Sequence, residues 1–227
     1  MSPPTYERRA LSLEHFPLPN PRNNISPNAK IDGHVDLNEH RRCGEGVKPI
    51  TIESGCVVKW STNVKENVTL HANVHIGFKV EIGKNVEIGT GTKVADNVKF
   101  MESVHIGREA EIDPFSLFRE HAWIGDNVVI RGFEIGKGVR IGDGVRVMSD
   151  IGDGTRVGKG TLIAYNATIG RHVVIGENVR VNVDTEIGDR AEIANNVYLL
   201  KGVKIGADAI ITEGRIVGHD IVARGLF

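Results

Sequence analysis

Hydrophobic residues return along this chain at every sixth position. From Ile52 the count runs through Val58, Val64, Leu70, Ile76, Ile82 and Ile88 and on to Ile130 without a miss. After two short steps it resumes at Ile151 and continues to Val217. Every member is aliphatic or, at Phe100 and Phe118, aromatic. The other positions of the hexad are specialised too. The second is often Gly, as at Gly77, Gly83 and Gly89, and the fourth is usually Asn, Gly or Asp, as at Asn73, Asn85 and Asn97. Those fourth residues tolerate a positive φ, which predicts a tight turn once per hexad. The fifth is Val, Thr or Ala and makes a second inward position. The sixth is mostly charged or His and faces outward.

A period of six excludes a helix, whose apolar stripe recurs every 3.6 residues. A short strand and a turn in each hexad predict an all-β solenoid instead. Three hexads close a triangular coil of about 18 residues, and coils stack at roughly 4.8 Å through parallel strand pairing. One hexad buries little, but the stack buries a continuous aliphatic column. Each inward Ile contributes about 1.5–3 kcal/mol to it.

These residues resemble the hexapeptide-repeat family, whose fold is the left-handed parallel β-helix. The resemblance covers Ile52 to Val217 and extends to Ile25, Ile31 and Leu37. It implies a single solenoid of about ten triangular coils over residues 25–217. The Pro- and Asn-rich residues 1–24 read as an irregular arm. Residues 38–51, with His40 and Cys43, read as a loop or cap inserted in the first coils. Residues 218–227 read as a C-terminal tail.

The monotony breaks between Asp113 and Gly136, where Pro114, Phe115, Phe118, His121, Trp123 and Phe133 gather. With hexads taken in threes from Ile52, those beginning at Ile112, Ile130 and Val147 fall one above another. Ile112 is followed by Pro and Phe, Ile130 by a step of five, and Val147 by a step of four. Three coils thus modify one edge and predict a notch, with Phe133 swinging inward. The same register stacks Glu87, His105, Trp123, Arg140 and Arg156 as outward neighbours. A Trp beside His and Arg suits a planar ring carrying phosphates, and equally a subunit interface. His121 takes the fourth position of its hexad, next to Glu120, and projects beside that ladder.

Formal net charge is −1, which supplies no basic field for nucleic acid. No apolar run is long enough for a spanning helix. The first residues lack an apolar segment behind a basic start, so the expected location is cytoplasmic. Cys43 and Cys56 are then expected as reduced thiols.

The family resemblance implies an acyltransferase. It would move an acyl group from acetyl coenzyme A, or another acyl thioester, to an amine or hydroxyl of a small or sugar-type acceptor. It further implies a homotrimer with sites between subunits and a His as general base. His121, with Glu120, and His219, in Val217-Gly218-His219-Asp220, are the catalytic candidates. Trp123, His105, Arg140, Arg156 and Phe115 are the candidates for binding the thioester. No metal is expected: His71, His75, His105 and His121 lack the spacing of the fold's zinc enzymes, and the chain contains no Gln. The alternative is a non-catalytic scaffold, favoured by the absence of the C-terminal segment many such acyltransferases carry.

Overall fold

The computed structural model describes residues 23–37 and 48–221. Among them the chain forms two-residue parallel strands and no helix, wound into a left-handed parallel β-helix. The strands stack into three faces. The first runs from Asn24–Ile25 to Ile210–Ile211 and the second from Lys30–Ile31 to Ile216–Val217, with eleven strands each. This stacking agrees with the coils counted from the hexads. The third face divides into a five-stranded and a three-stranded sheet.

The reason for the strands is the alternation within each hexad. At Glu87–Ile88, His105–Ile106 and Trp123–Ile124 the first side chain faces solvent and the second is buried. The fifth residues, from Cys56 and Thr62 through Val128, are buried as well, so each coil contributes two inward layers. Phe100 and Phe118 are buried in the interior as a stacked pair with centroids 5.0 Å apart. Their separation matches the strand spacing, so the rings continue the ladder rather than interrupt it.

In the six-residue hexads from Ile52 to Ile211 the fourth position takes a positive φ whatever residue occupies it. Asn meets this demand at little steric cost, but Phe115 (φ 66°) and His121 (φ 61°) adopt it as well. Tertiary stacking dictates the turn there, and local preference yields.

The expected notch lies between the second and third faces. Phe133 takes the backbone role of a fifth residue, its carbonyl accepting the Leu117 N–H at 3.1 Å. Its side chain is only partly buried, because the five-residue step leaves too little chain to carry the ring inside. The four-residue step after Val147 reduces the next strand to a single bridging residue, Ile151, which pairs with Ile135 and Ile169. This shortening divides the third face.

Beyond Val217 the ladder gains one further member. Ile221 is buried and bridges to Ile205, which carries the solenoid into the stretch the hexad count leaves as tail. At the other end, Ile25 pairs directly with Ile52 and Ile31 with Val58, so residues 23–37 share the register of residues 48–221. Residues 1–22, 38–47 and 222–227, including His40 and Cys43, lie outside the described residues. Cys56 is a free thiol. Burial pushes its pKa up, and its Sγ lies 3.0 Å from the His71 carbonyl.

Candidate active site

The first face carries the outward ladder, in the order read from the hexads. His105 pairs with Glu87 and Trp123, Trp123 with Arg140, and Arg140 with Arg156. The parallel in-register stack sets each of these side chains directly over its neighbour. The His105 and Trp123 rings lie nearly coplanar in direction, with 8° between planes and 5.7 Å between centroids. Trp123 keeps 44% of its surface exposed to the cleft side of the ladder.

A cleft of 610 Å³ opens along this ladder, lined by His105, His121, Trp123, Arg140 and Arg156 above a floor that includes Gly142 and Gly158. The glycines are there for a physical reason. A Cβ on Gly158 would stand 2.5 Å from the backbone of Gly176 in the next coil, so the floor is bare main chain. A second cleft of 500 Å³ adjoins it on the Glu87 side, lined by His71, Glu87, Arg108 and Asp126. His105 lines both.

The electrostatics of the two clefts differ. Among the described residues Arg140 and Arg156 have no carboxylate partner, although both are exposed and adjacent. Like charges opposed on neighbouring strands repel, so the pair is arranged at a cost that an anion would offset. On the other side, His105 Nδ1 lies 3.2 Å from Glu87 Oε2. Glu87 Oε1 in turn meets His71 Nε2 at 2.9 Å, and His71 Nδ1 meets Glu53 Oε1 at 3.1 Å. The hydrogen bond from His71 holds the Glu87 carboxyl below its ordinary range. The same bond to Glu87, with a second to Glu53, raises the His71 imidazole.

The structure therefore brings together His105, His121, Trp123, Arg140 and Arg156. It leaves three other candidates apart. Glu120 faces the clefts beside the third face and makes no hydrogen bond to His121, because successive residues at a corner diverge. Phe115 is 73% exposed at the corner between the second and third faces, away from the ladder. His219 is exposed after the last strand of the second face, five strands beyond Trp123 in the stack, and its neighbour Asp220 accepts the Lys204 N–H. The notched edge and the ladder occupy different edges of the solenoid. The hexad reading missed the link from His71 to Glu87. A signal was present: Glu53 and His71 share the second hexad position one coil apart.

Among the described residues no group of three or more His, Cys, Asp or Glu side chains is arranged to hold a metal ion.

Comparisons with known proteins agree with the architecture. Residues 148–182 match the family model for the bacterial transferase hexapeptide (six repeats). Residues 120–149 and 166–201 match that for the hexapeptide repeat of succinyl-transferase. No curated protein matches the chain. Among solved structures, the Arabidopsis UDP-N-acetylglucosamine acyltransferase shares 19% identity over 92% of this chain and 72% of its own, with a TM-score of 0.51. The Francisella novicida UDP-N-acetylglucosamine acyltransferase shares 24% over 74% and 63%, with a TM-score of 0.38. The acetyltransferase domain of PglB from Neisseria gonorrhoeae, solved with acetyl coenzyme A, shares 22% over 62% and 53%, with a TM-score of 0.35. The first likeness is one of fold, and the other two carry no further weight. The six-residue register and the three parallel faces give the chain the left-handed parallel β-helix fold, and within residues 120–201 its repeats are similar to the transferase hexapeptide.

Proposed function

We propose that this protein transfers an acyl group from a thioester of coenzyme A or an acyl carrier to an amine or hydroxyl of a small or sugar-type acceptor. The observation that carries the reading is the position of His105: oriented by a carboxylate, it stands where two clefts on one face meet. An acyl transfer needs two ligands side by side and a base between them. The transferase repeats matched over residues 120–201 support the same reading.

In this scheme Glu87 accepts the Nδ1–H of His105, leaving Nε2 to take the proton of the acceptor N–H or O–H. The acceptor's freed electron pair forms the new bond to the thioester carbonyl carbon. As the C–S bond breaks, the departing thiolate takes the proton back from Nε2. Arg140 and Arg156 would hold phosphate groups, and the exposed part of Trp123 a planar ring. The bound thioester supplies the activated acyl carbon. His121 is a rim residue of the same cleft, without an orienting carboxylate, and this favours His105 as base. The clefts are open along one side, which fits the expected homotrimer with a neighbouring subunit closing them. A cytoplasmic location completes the reading. No helix among the described residues is long and apolar enough to cross a membrane.

Calorimetric titration with coenzyme A, followed by thiol release from acetyl coenzyme A against a panel of amino-sugar acceptors, tests the proposal. Saturable binding, and a loss of turnover of about 100-fold or more in His105→Ala but not in His121→Ala, is the expected result. The reverse pattern moves the base to His121. No binding of coenzyme A and no turnover of an acyl-carrier thioester by the wild type overturns the reading in favour of a non-catalytic scaffold.

A further inference from the structure

Glu87, the carboxylate that orients His105, does not stand alone. Its two oxygens are divided between two imidazoles, Oε1 to His71 at 2.9 Å and Oε2 to His105 at 3.2 Å. His71 is itself gripped from behind, its Nδ1 lying 3.1 Å from Glu53 Oε1. Glu53 is anchored in turn, since its Oε2 accepts the Ala72 N–H at 2.9 Å. The result is a chain from the backbone at Ala72 through Glu53, His71 and Glu87 to His105, ending on the Trp123 ring.

The protonation of this chain follows from donor counting. A carboxylate only accepts, and both nitrogens of His71 face carboxylate oxygens. His71 satisfies both as an imidazolium, a cation between two anions. A bound cation on Oε1 fixes the carboxylate plane, and with it the oxygen that Glu87 turns toward His105. His105 then meets an acceptor at Nδ1, which selects the neutral tautomer with its proton on that nitrogen. Other charges near the chain do not compete for Glu87. Arg108 and Asp126 line the same cleft, but Asp126 Oδ1 accepts the Arg108 backbone N–H and neither forms an ion pair with the chain among the described residues. On the far side His105 meets the uncharged Trp123 ring, with Arg140 one strand beyond.

We propose that His71 is a positioning residue: its imidazolium, anchored by Glu53, locks Glu87 against His105 and so holds His105 with its proton on Nδ1 and a bare Nε2. The proposal rests on the acyl-transfer reading only for its consequence, because the tautomer is a property of the free protein.

The test is a long-range ¹H–¹⁵N correlation spectrum of the full chain labelled at histidine, with His105 assigned by its loss in His105→Asn. In the wild type the neutral His105 should show one nitrogen of the protonated type and one of the bare type. In His71→Gln, which keeps a hydrogen-bonding side chain but no cation, the two signals should converge as the tautomers mix. Glu53→Gln should produce the same convergence to a smaller degree, and serves alone if the His71 variant does not fold. Undiminished separation in the folded variants overturns the proposal. If thiol release is observed in the wild type, kcat should fall about 10-fold in His71→Gln with KM unchanged. A protein with no transferase activity but with convergent signals would retain the clamp and lose the acyl-transfer reading.

Discussion

Arg156 should weaken the fold and strengthen ligand binding, and its replacement by Thr separates the two effects. Arg140 and Arg156 are opposed in parallel register on neighbouring strands, and no carboxylate pairs with either among the described residues. The strand spacing of about 4.8 Å lets the two guanidinium groups splay to about 7 Å. In water at that distance the repulsion is about 0.6 kcal/mol, and physiological salt reduces it to about 0.3 kcal/mol. Threonine is the natural substitute, because the same outward column already pairs Thr51 with Thr69. Arg156→Thr should therefore stabilise the protein by a few tenths of a kcal/mol, seen as a rise in thermal midpoint that shrinks in high salt. A charge-assisted hydrogen bond to a phosphate is worth about 1.5–3 kcal/mol, so the affinity for coenzyme A should fall by about 10-fold or more. Melting curves and calorimetric titration on the same samples measure both effects. A fall in stability, or unchanged affinity, would refute the argument that an anion site accounts for the unneutralised pair.

Two other predictions concern the chain of charges and the strained corner. The pH dependence of the clamp follows from the raised His71 and the lowered Glu87. The His71 contribution is fully present below the unfolded imidazole value and is lost as pH rises through its higher folded value. The Glu87 contribution is present above the unfolded carboxylate value and is lost as pH falls through its lower folded value. The stability difference between wild type and His71→Gln should thus be largest between about pH 4.3 and 6.5 and shrink toward alkaline pH, as urea denaturation across that range would show; a flat difference refutes the pairing. Phe115→Asn should raise the thermal midpoint by about 1–3 °C, because Asn adopts a positive φ more readily and the lost ring is mostly solvent-exposed. The same variant should bind coenzyme A as the wild type does, and weaker binding would bring the notch back into the site.

What was legible in the sequence follows from the geometry of stacking. In a parallel in-register solenoid, residues one coil apart become spatial neighbours, so counting hexads already places Glu87, His105, Trp123, Arg140 and Arg156 in one column. The same counting places Val58 and Phe118 in the core and locates the shortened coils that divide the third face. Contacts between columns do not follow from counting. The bond between His71 and Glu87 joins the second position of one hexad to the sixth of another, and side-chain length and torsion decide it. Glu120 and His121 are adjacent in the chain, yet the corner between them sends one toward the third face and the other toward the first. Phe133 stands at an inward step of the count, but the missing residue before it leaves its ring only partly buried. The coil, the faces and the outward ladder follow from the hexads alone, because a repeat propagates a single local rule. Which imidazole is oriented follows only from the folded chain, because it depends on where carboxylates from neighbouring columns meet.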